Sequence, residues 1–206
     1  MFKLVRIFTF PMRFIINLLQ NFFIQYFEPM SLGPVSSLEW KLLIKENFND
    51  KVNVIDFGCG TGSFCLLFDP NRYLGLDIND KFIEIAKKRY QSYNFVNSLK
   101  LKDVDSKFNN ILFNGVLHHL DDKTFSNIIL DLKNTINSNC DIIFIEPIIP
   151  NNIFSLEFMV KIFDLGDYIR DSKNYIKLIK KNLTYISCSS TKIGWNNLVI
   201  IKSKLK

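Results

Sequence analysis

The 206-residue sequence offers little that would bind a soft metal. It has two histidines, side by side at His118 and His119, and four cysteines, Cys59, Cys65, Cys140 and Cys188, with no C-x-x-C pair and no histidine at a ligand spacing. No metal centre is therefore expected, and the cysteines read as reduced, structural thiols of a reducing compartment, the cytoplasm. A block of like charge is also missing. The 26 basic and 20 acidic residues leave a formal charge of +6 that is scattered along the chain, with some collection toward its C-terminal end. Without a clustered basic face carrying stacking aromatics, no nucleic-acid partner is expected. There is no internal repeat or low-complexity tract, alanine is scarce, and no pattern specifies an oligomeric state. Nor does any apolar run suit a membrane span. The most apolar stretch, residues 1–27, is interrupted by Pro11 and punctuated by Asn17, Gln20, Asn21 and Gln25, and no small-residue cleavage site follows it. Its Phe14, Ile15, Leu18, Leu19, Phe22, Phe23 and Tyr26 recur at helical spacing. An amphipathic helix is expected there, packed on the domain or over a ligand, with peripheral attachment to the inner face of a membrane as the alternative.

What the chain does have is apolar material: 48% hydrophobic residues and twenty phenylalanines, enough for the core of one domain. Residues 1–48 are expected to form N-terminal helices covering or flanking a site, and residues 49–206 a single α/β unit. VNVIDFG, RYLGLDI, NFVN, NNILFNG and CDIIFIEP are short apolar runs of the kind buried parallel strands use, and LTYISCS and NLVIIKS add two more around a turn at Gly194. Helices fall between them. DKFIEIAKKRY puts Phe82, Ile83, Ala86 and Tyr90 on one face, and Phe125, Ile128, Ile129, Leu132 and Ile136 recur at three- and four-residue spacing after an Asp121 or Asp122 cap. A further helix is expected over SKNYIKLIKKN, one over the stretch FSLEFMVKIFDLGDYIRD, and one from a Ser36–Glu39 capping box through about Glu46. Strands alternating with helices and closing in a strand pair imply a mostly parallel seven-stranded sheet with an antiparallel edge strand and helices on both faces.

The chemistry is concentrated in Asp56-Phe57-Gly58-Cys59-Gly60-Thr61-Gly62, where the first strand runs into a turn with glycine at every second position. Glycine removes the Cβ atoms that keep a ligand off the backbone and permits the φ values of a tight turn. A dinucleotide fingerprint needs GxGxxG, so that a pyrophosphate can rest on a helix N-terminus. This is GxGxG with an acid two residues before it, which would repel a pyrophosphate and suit a cationic ligand. Some fifteen residues on, Leu74-Gly75-Leu76-Asp77-Ile78 ends the second strand with an acid, where doubly wound folds hold ribose hydroxyls.

VIDFGCGTG and LGLDI closely resemble the first two motifs of the class I S-adenosylmethionine-dependent methyltransferases, and the resemblance extends from about Val52 to Pro147. It implies a doubly wound, Rossmann-like fold with S-adenosyl-L-methionine as cofactor. It also implies a cytoplasmic enzyme that methylates a small-molecule acceptor, such as a sugar, a lipid-linked glycan or another metabolite. Asp56, Gly58, Cys59, Gly60 and Gly62 would line the methionine part of the cofactor, Asp77 would take both ribose hydroxyls, and Ile78 would pack on the adenine. NGVLHHL is similar to the family's motif beside the cofactor, bringing in Asn114 and Gly115, with His119 toward the transferred methyl or its acceptor and His118 beside the substrate. At the third strand many relatives carry an acid that contacts the adenine, whereas this chain has Asn97 and Ser98, so Asn97 or Ser98 would take its place. The tail resembles a subset of small bacterial methyltransferases in which an acid and proline end the fifth strand and Asp-x-Gly-x-Tyr-x-Arg follows. Here these are Glu146-Pro147 and Asp164, Gly166, Tyr168 and Arg170. That likeness implies Glu146 and Asp164 as bases near the acceptor, beside His119, and Tyr168 and Arg170 as substrate contacts. The alternative is a non-catalytic cofactor-binding protein that acts through a partner or membrane surface.

Overall fold

A computed structural model describes residues 38–49, 51–97, 107–136, 139–148, 167–194 and 196–205. The expected N-terminal amphipathic helix, the Ser36 cap, Ser98, Asp164, Gly166 and residues 154–166 of the helix expected over FSLEFMVKIFDLGDYIRD lie outside them; its last five residues, 167–171, contain a turn and no helix. Seven strands form one sheet: β1 (Val54–Phe57), β2 (Tyr73–Asp77), β3 (Asn94–Asn97), β4 (Asn110–Asn114), β5 (Asp141–Pro147), β6 (Thr184–Ile193) and β7 (Asn196–Lys204). Their order is β3-β2-β1-β4-β5-β7-β6. The first five strands pair in parallel, and β7 runs antiparallel to both β5 and β6, so the closing hairpin makes the antiparallel edge. Strand order reverses between β1 and β4, the point at which an open α/β sheet leaves a crevice beyond its carboxyl ends.

Alternation along the strands divides the core into two layers. Ile55, Phe57, Ile111, Phe113, Ile142, Phe144, Val199 and Ile201 share a cluster with Phe125, Ile128, Ile129 and Leu132 of α3 (Asp122–Thr135) and Tyr175, Leu178 and Ile179 of α4 (Ser172–Asn182). Val54, Leu112, Ile143, Ile145, Leu198 and Ile200 face the other way, joining Trp40 and Ile44 of α1 (Leu38–Glu46) and Ile83 and Ala86 of α2 (Asp80–Arg89). Burying each such side chain stabilises the fold by about 2 kcal/mol, which is why these runs form strands despite the many asparagines around them. Helix starts follow local chemistry: the side chains of Asn79, Asp121 and Asp171 accept from Lys81 N, Thr124 N and Asn174 N.

After the glycine turn there is no long helix. Two short 3-10 turns, Cys65–Leu67 and Pro70–Arg72, lead directly into β2, because Asp69 caps the second and Pro70 stops any helix from running through it. All four cysteines are free, as expected of structural thiols. Burial pushes the Cys65 and Cys140 thiols up to about 12, so they stay protonated and pack as small apolar groups. Among the described residues no helix is long and apolar enough to cross a membrane.

Candidate functional site

Asp56, Asp77, Asn114 and Glu146 stand at or beside the carboxyl ends of β1, β2, β4 and β5, four strands that are neighbours in the sheet. The turn after β1 is tied to β2 by backbone bonds from Gly58 N and Cys59 N to Leu76 O, at 2.7 and 2.9 Å. Gly58, Gly60 and Gly62 have φ of 75°, 55° and 80°, a region that side chains rarely adopt. Each meets different surroundings. A Cβ on Gly58 would lie 2.6 Å from Val116 Cγ2, and one on Gly62 would lie 2.7 Å from the Phe95 ring, whereas one on Gly60 would meet nothing within 4 Å. Gly60 is therefore the member of the motif that opens onto free space. The Cys59 thiol turns inward, because a Cβ on Gly75 would come within 2.9 Å of its sulfur. Of Cys59, only the main chain is left for a ligand.

Asp77 braces this turn. Its Oδ2 accepts from Gly60 N and its Oδ1 from Asn79 N, both at 2.9 Å. Each carboxylate oxygen has a second acceptor site left for a ligand. Next to Asp77 the Ile78 side chain is 65% exposed, an apolar surface at the cleft edge. Asp56 is buried, and Tyr73 donates its hydroxyl hydrogen to Asp56 Oδ2 at 2.7 Å. Burial raises the Asp56 carboxyl to about 7; the Tyr73 bond works against that rise and the charge of Asp77 adds to it. A buried acid held at this balance is what a cationic group would ionise. Tyr73 was not anticipated from the sequence, although alternation along β2 puts it on the same face as Gly75, which pairs with Asp56 in the sheet.

On the other side, Trp40 of α1 donates from Nε1 to Asn114 Oδ1 at 3.0 Å, fastening α1 over the end of β4. No sequence pattern marked this contact. Gly115, at φ 70°, turns the chain into the 3-10 turn Leu117–His119. Glu146 is fully buried beneath that turn and does not reach outward as a base would. Its Oε1 accepts from Val116 N and Leu117 N at 2.8 Å, and its Oε2 takes His118 N at 3.3 Å and His118 Nδ1 at 2.8 Å. An acceptor so surrounded makes Nδ1 the nitrogen that carries hydrogen. His118 is accordingly a buried ring oriented by Glu146, while the adjacent His119 is exposed. Arg170 also departs from its expected role. Its guanidinium is spent on the carbonyls of Leu117, Leu120 and Tyr168, at 2.8–3.0 Å, and on Asp122 at 2.7 Å. Asn97 stands beside Asp77 in the sheet and gives its amide to Asp80. Tyr168 sits at the lip with its side chain 41% exposed, and its N–H donates to His118 O at 2.8 Å.

The residues present fit S-adenosylmethionine. There is a glycine turn whose middle residue leaves room, an acid at the end of β2 with acceptor sites to spare, an exposed apolar side chain after it, and a buried acid poised to meet a cation.

A family model described as a methyltransferase domain matches residues 55–140. No curated protein matches the sequence. Among solved structures, the chain is similar to the mitomycin 7-O-methyltransferase, with 17% identity and a TM-score of 0.64 over 81% of this chain and 54% of that one, so it spans about half that enzyme's length. It is similar to a protein of Pyrococcus horikoshii OT3, with 16% identity and a TM-score of 0.64 over 87% and 99% of the two chains. It is also similar to the magnesium protoporphyrin IX methyltransferase of Synechocystis PCC 6803 with bound SAM, with 17% identity and a TM-score of 0.55 over 84% and 78%.

Proposed function

We propose that the chain, whose residues 55–140 match a methyltransferase domain, is a class I methyltransferase that transfers a methyl group from S-adenosylmethionine to a small-molecule acceptor bound beyond β4 and β5. When bound, S-adenosylmethionine supplies an electrophilic methyl on a sulfonium. The observation that carries this reading is the open space over Gly60 beside the free acceptor sites of Asp77. In it, Asp77 holds the ribose, Ile78 covers the adenine and Asp56 faces the amino group of the methionine end. The turn bearing His119 and the Tyr168 segment bonded to it form the acceptor lip. The described residues include no appended recognition domain that would grip a macromolecule.

In-line displacement asks mainly for a nucleophile held close and aligned where water is excluded. A hydroxyl acceptor would also need a group to receive its proton, and His119 is the exposed imidazole on that turn. His119→Ala is expected to lower turnover by about 10²-fold for such an acceptor, with affinity for S-adenosylhomocysteine unchanged. Turnover equal to wild type, measured with labelled cofactor and the acceptor fraction of a cell extract, would remove His119 from the reaction.

Calorimetric titration with S-adenosylhomocysteine, with NAD as a control, tests the cofactor assignment. Binding of the first alone supports it, and binding of neither by folded protein overturns it. If the cofactor binds and no extract supplies an acceptor, the protein is a non-catalytic binder. Gly60→Ala should separate folding from binding. The substitution costs about 1–2 kcal/mol of stability, from the left-handed backbone alone, because among the described residues the new methyl meets no atom within 4 Å. It nevertheless places that methyl against the ligand. A variant that melts a few degrees lower and no longer binds is the expected result; unimpaired binding would move the ligand away from Gly60.

A further inference from the structure

Residues 116–120 touch both halves of the site, and two charged side chains from different parts of the chain hold them. The turn is too short to satisfy its own backbone groups, which leaves N–H groups free at its start, while the Leu117 carbonyl, which accepts from Leu120 N, keeps a second acceptor site. Glu146, from the end of β5, takes the N–H groups of Val116, Leu117 and His118. Arg170, from the segment that precedes α4, takes the carbonyls of Leu117 and Leu120. The two halves of the turn face different neighbours. Val116 is the residue a Cβ on Gly58 would strike, so the first half abuts the glycine turn. The second half carries the exposed His119 and binds the following segment through Tyr168 N to His118 O. Arg170 fastens that segment again through the Tyr168 carbonyl, with its guanidinium 5.8 Å from the ring centres of both Tyr168 and Tyr175.

We infer that Glu146 and Arg170 are positioning residues with separate duties: Glu146 sets the half of the turn that shapes the cofactor pocket, and Arg170 locks residues 167–170 onto the half that forms the acceptor lip. The division rests on the methyltransferase reading; the two clamps do not. Lysine cannot replace Arg170, because one ammonium lacks the planar fork that reaches three carbonyls and Asp122 together. The ion pair with Asp122 matters less, because that carboxylate lies in solvent.

The test combines hydrogen–deuterium exchange of the ligand-free protein with calorimetric titration by S-adenosylhomocysteine, on wild type, Glu146→Gln, Arg170→Ala and Arg170→Lys. Loss of a charged hydrogen-bonding partner is expected to change what each clamp controls by about tenfold or more. In Glu146→Gln, exchange over residues 116–118 accelerates and affinity for S-adenosylhomocysteine falls. In Arg170→Ala, exchange over 119–120 and 167–170 accelerates while affinity stays within about twofold, a margin well below a lost hydrogen bond. Methylguanidinium restores slow exchange to Arg170→Ala, and Arg170→Lys behaves like Arg170→Ala. General destabilisation would not produce this split or respond to methylguanidinium. Equal loss of affinity in both variants, or unchanged exchange over 119–120 and 167–170 in Arg170→Ala, overturns the inference. If Glu146→Gln does not fold, the Arg170 variants and the methylguanidinium rescue decide it. Wild type that binds no S-adenosylhomocysteine would refute the methyltransferase reading, with the exchange arm still testing the clamps.

Discussion

Asp77→Ala is expected to reduce affinity for S-adenosylhomocysteine by about two orders of magnitude or more while leaving the sheet intact, since two lost hydrogen bonds to a charged group are each worth about 1.5–3 kcal/mol. The effect should exceed that of a single ligand contact, because the same carboxylate also works within the protein. Its Oδ2 accepts from Gly60 N and its Oδ1 from Asn79 N, so it fixes both the middle of the glycine turn and the start of α2 against the end of β2. Alanine would remove the ribose acceptors and release the turn that surrounds them. Asp77→Asn separates the two contributions. Its side-chain carbonyl can keep one of the backbone bonds, and its amide group donates where the carboxylate accepted, so it should bind more tightly than alanine and more weakly than wild type. Calorimetry on the three proteins, with melting temperature as the check on folding, measures this order. Wild-type affinity in Asp77→Ala would place the ribose elsewhere and remove the main support for the cofactor pose.

The strands and helices around Asp77 were legible because they repeat simple periods. Asn94–Asn97 and Ser172–Asn182 coincide with the runs read from sequence, and β1, β2, β4 and β5 fall within theirs. Strand β6 was less so. Its apolar run suggests an end near Ser189, yet it continues through Thr191 and Lys192 to Ile193. An edge strand exposed along most of its length needs no alternation, so hydrophobicity does not mark where it stops. The glycines were readable for a similar reason, since a positive φ leaves its mark on residue type at one position. Glu146, His118 and Arg170 were not. Sequence placed all three near the crevice, and they are there, but their direction depends on which buried backbone groups lack partners. That is a property of the assembled turn at 116–120 and of no single segment. Charged residues near a crevice read as chemistry until the backbone groups beside them are counted.

The same accounting applies to Asp56, whose two oxygens face unequal surroundings, and it leads to a large expected effect of pH. Tyr73 donates to Oδ2, and no other hydrogen bond to Asp56 is present among the described residues. Burial therefore outweighs that bond and raises the carboxyl from 3.8 to about 7. A folded-state value above the unfolded one means that the native protein holds this proton more tightly. The stabilisation is complete at low pH and is lost as pH rises from about 4 to about 7. Three pH units correspond to about 4 kcal/mol. Asp56→Asn keeps an acceptor for Tyr73 and removes the titration. Relative to wild type, the ligand-free variant should gain stability between about pH 4 and about pH 7 by up to that amount, less the cost of its amide hydrogens. Denaturant unfolding of both proteins across this range isolates the effect, because every other titrating group is shared. Parallel curves would show that Asp56 does not titrate in the native state. Ligand binding gives a second reading of the same proton. If the cationic amino group of the cofactor product lies against Asp56, binding forces the carboxyl to ionise, and at pH 6.5 the complex releases a proton. Calorimetry in phosphate and in Tris, whose ionisation heats differ, should then give different apparent enthalpies at pH 6.5, with the part due to Asp56 gone at pH 8.5, where the carboxyl is already ionised. The same coupling makes affinity rise with pH across the interval in which ligand-free stability falls, since the charge that burial disfavours is the one the cation requires. An apparent enthalpy independent of buffer at pH 6.5 would separate Asp56 from the ligand's amino group and leave it as a structural acid paired with Tyr73.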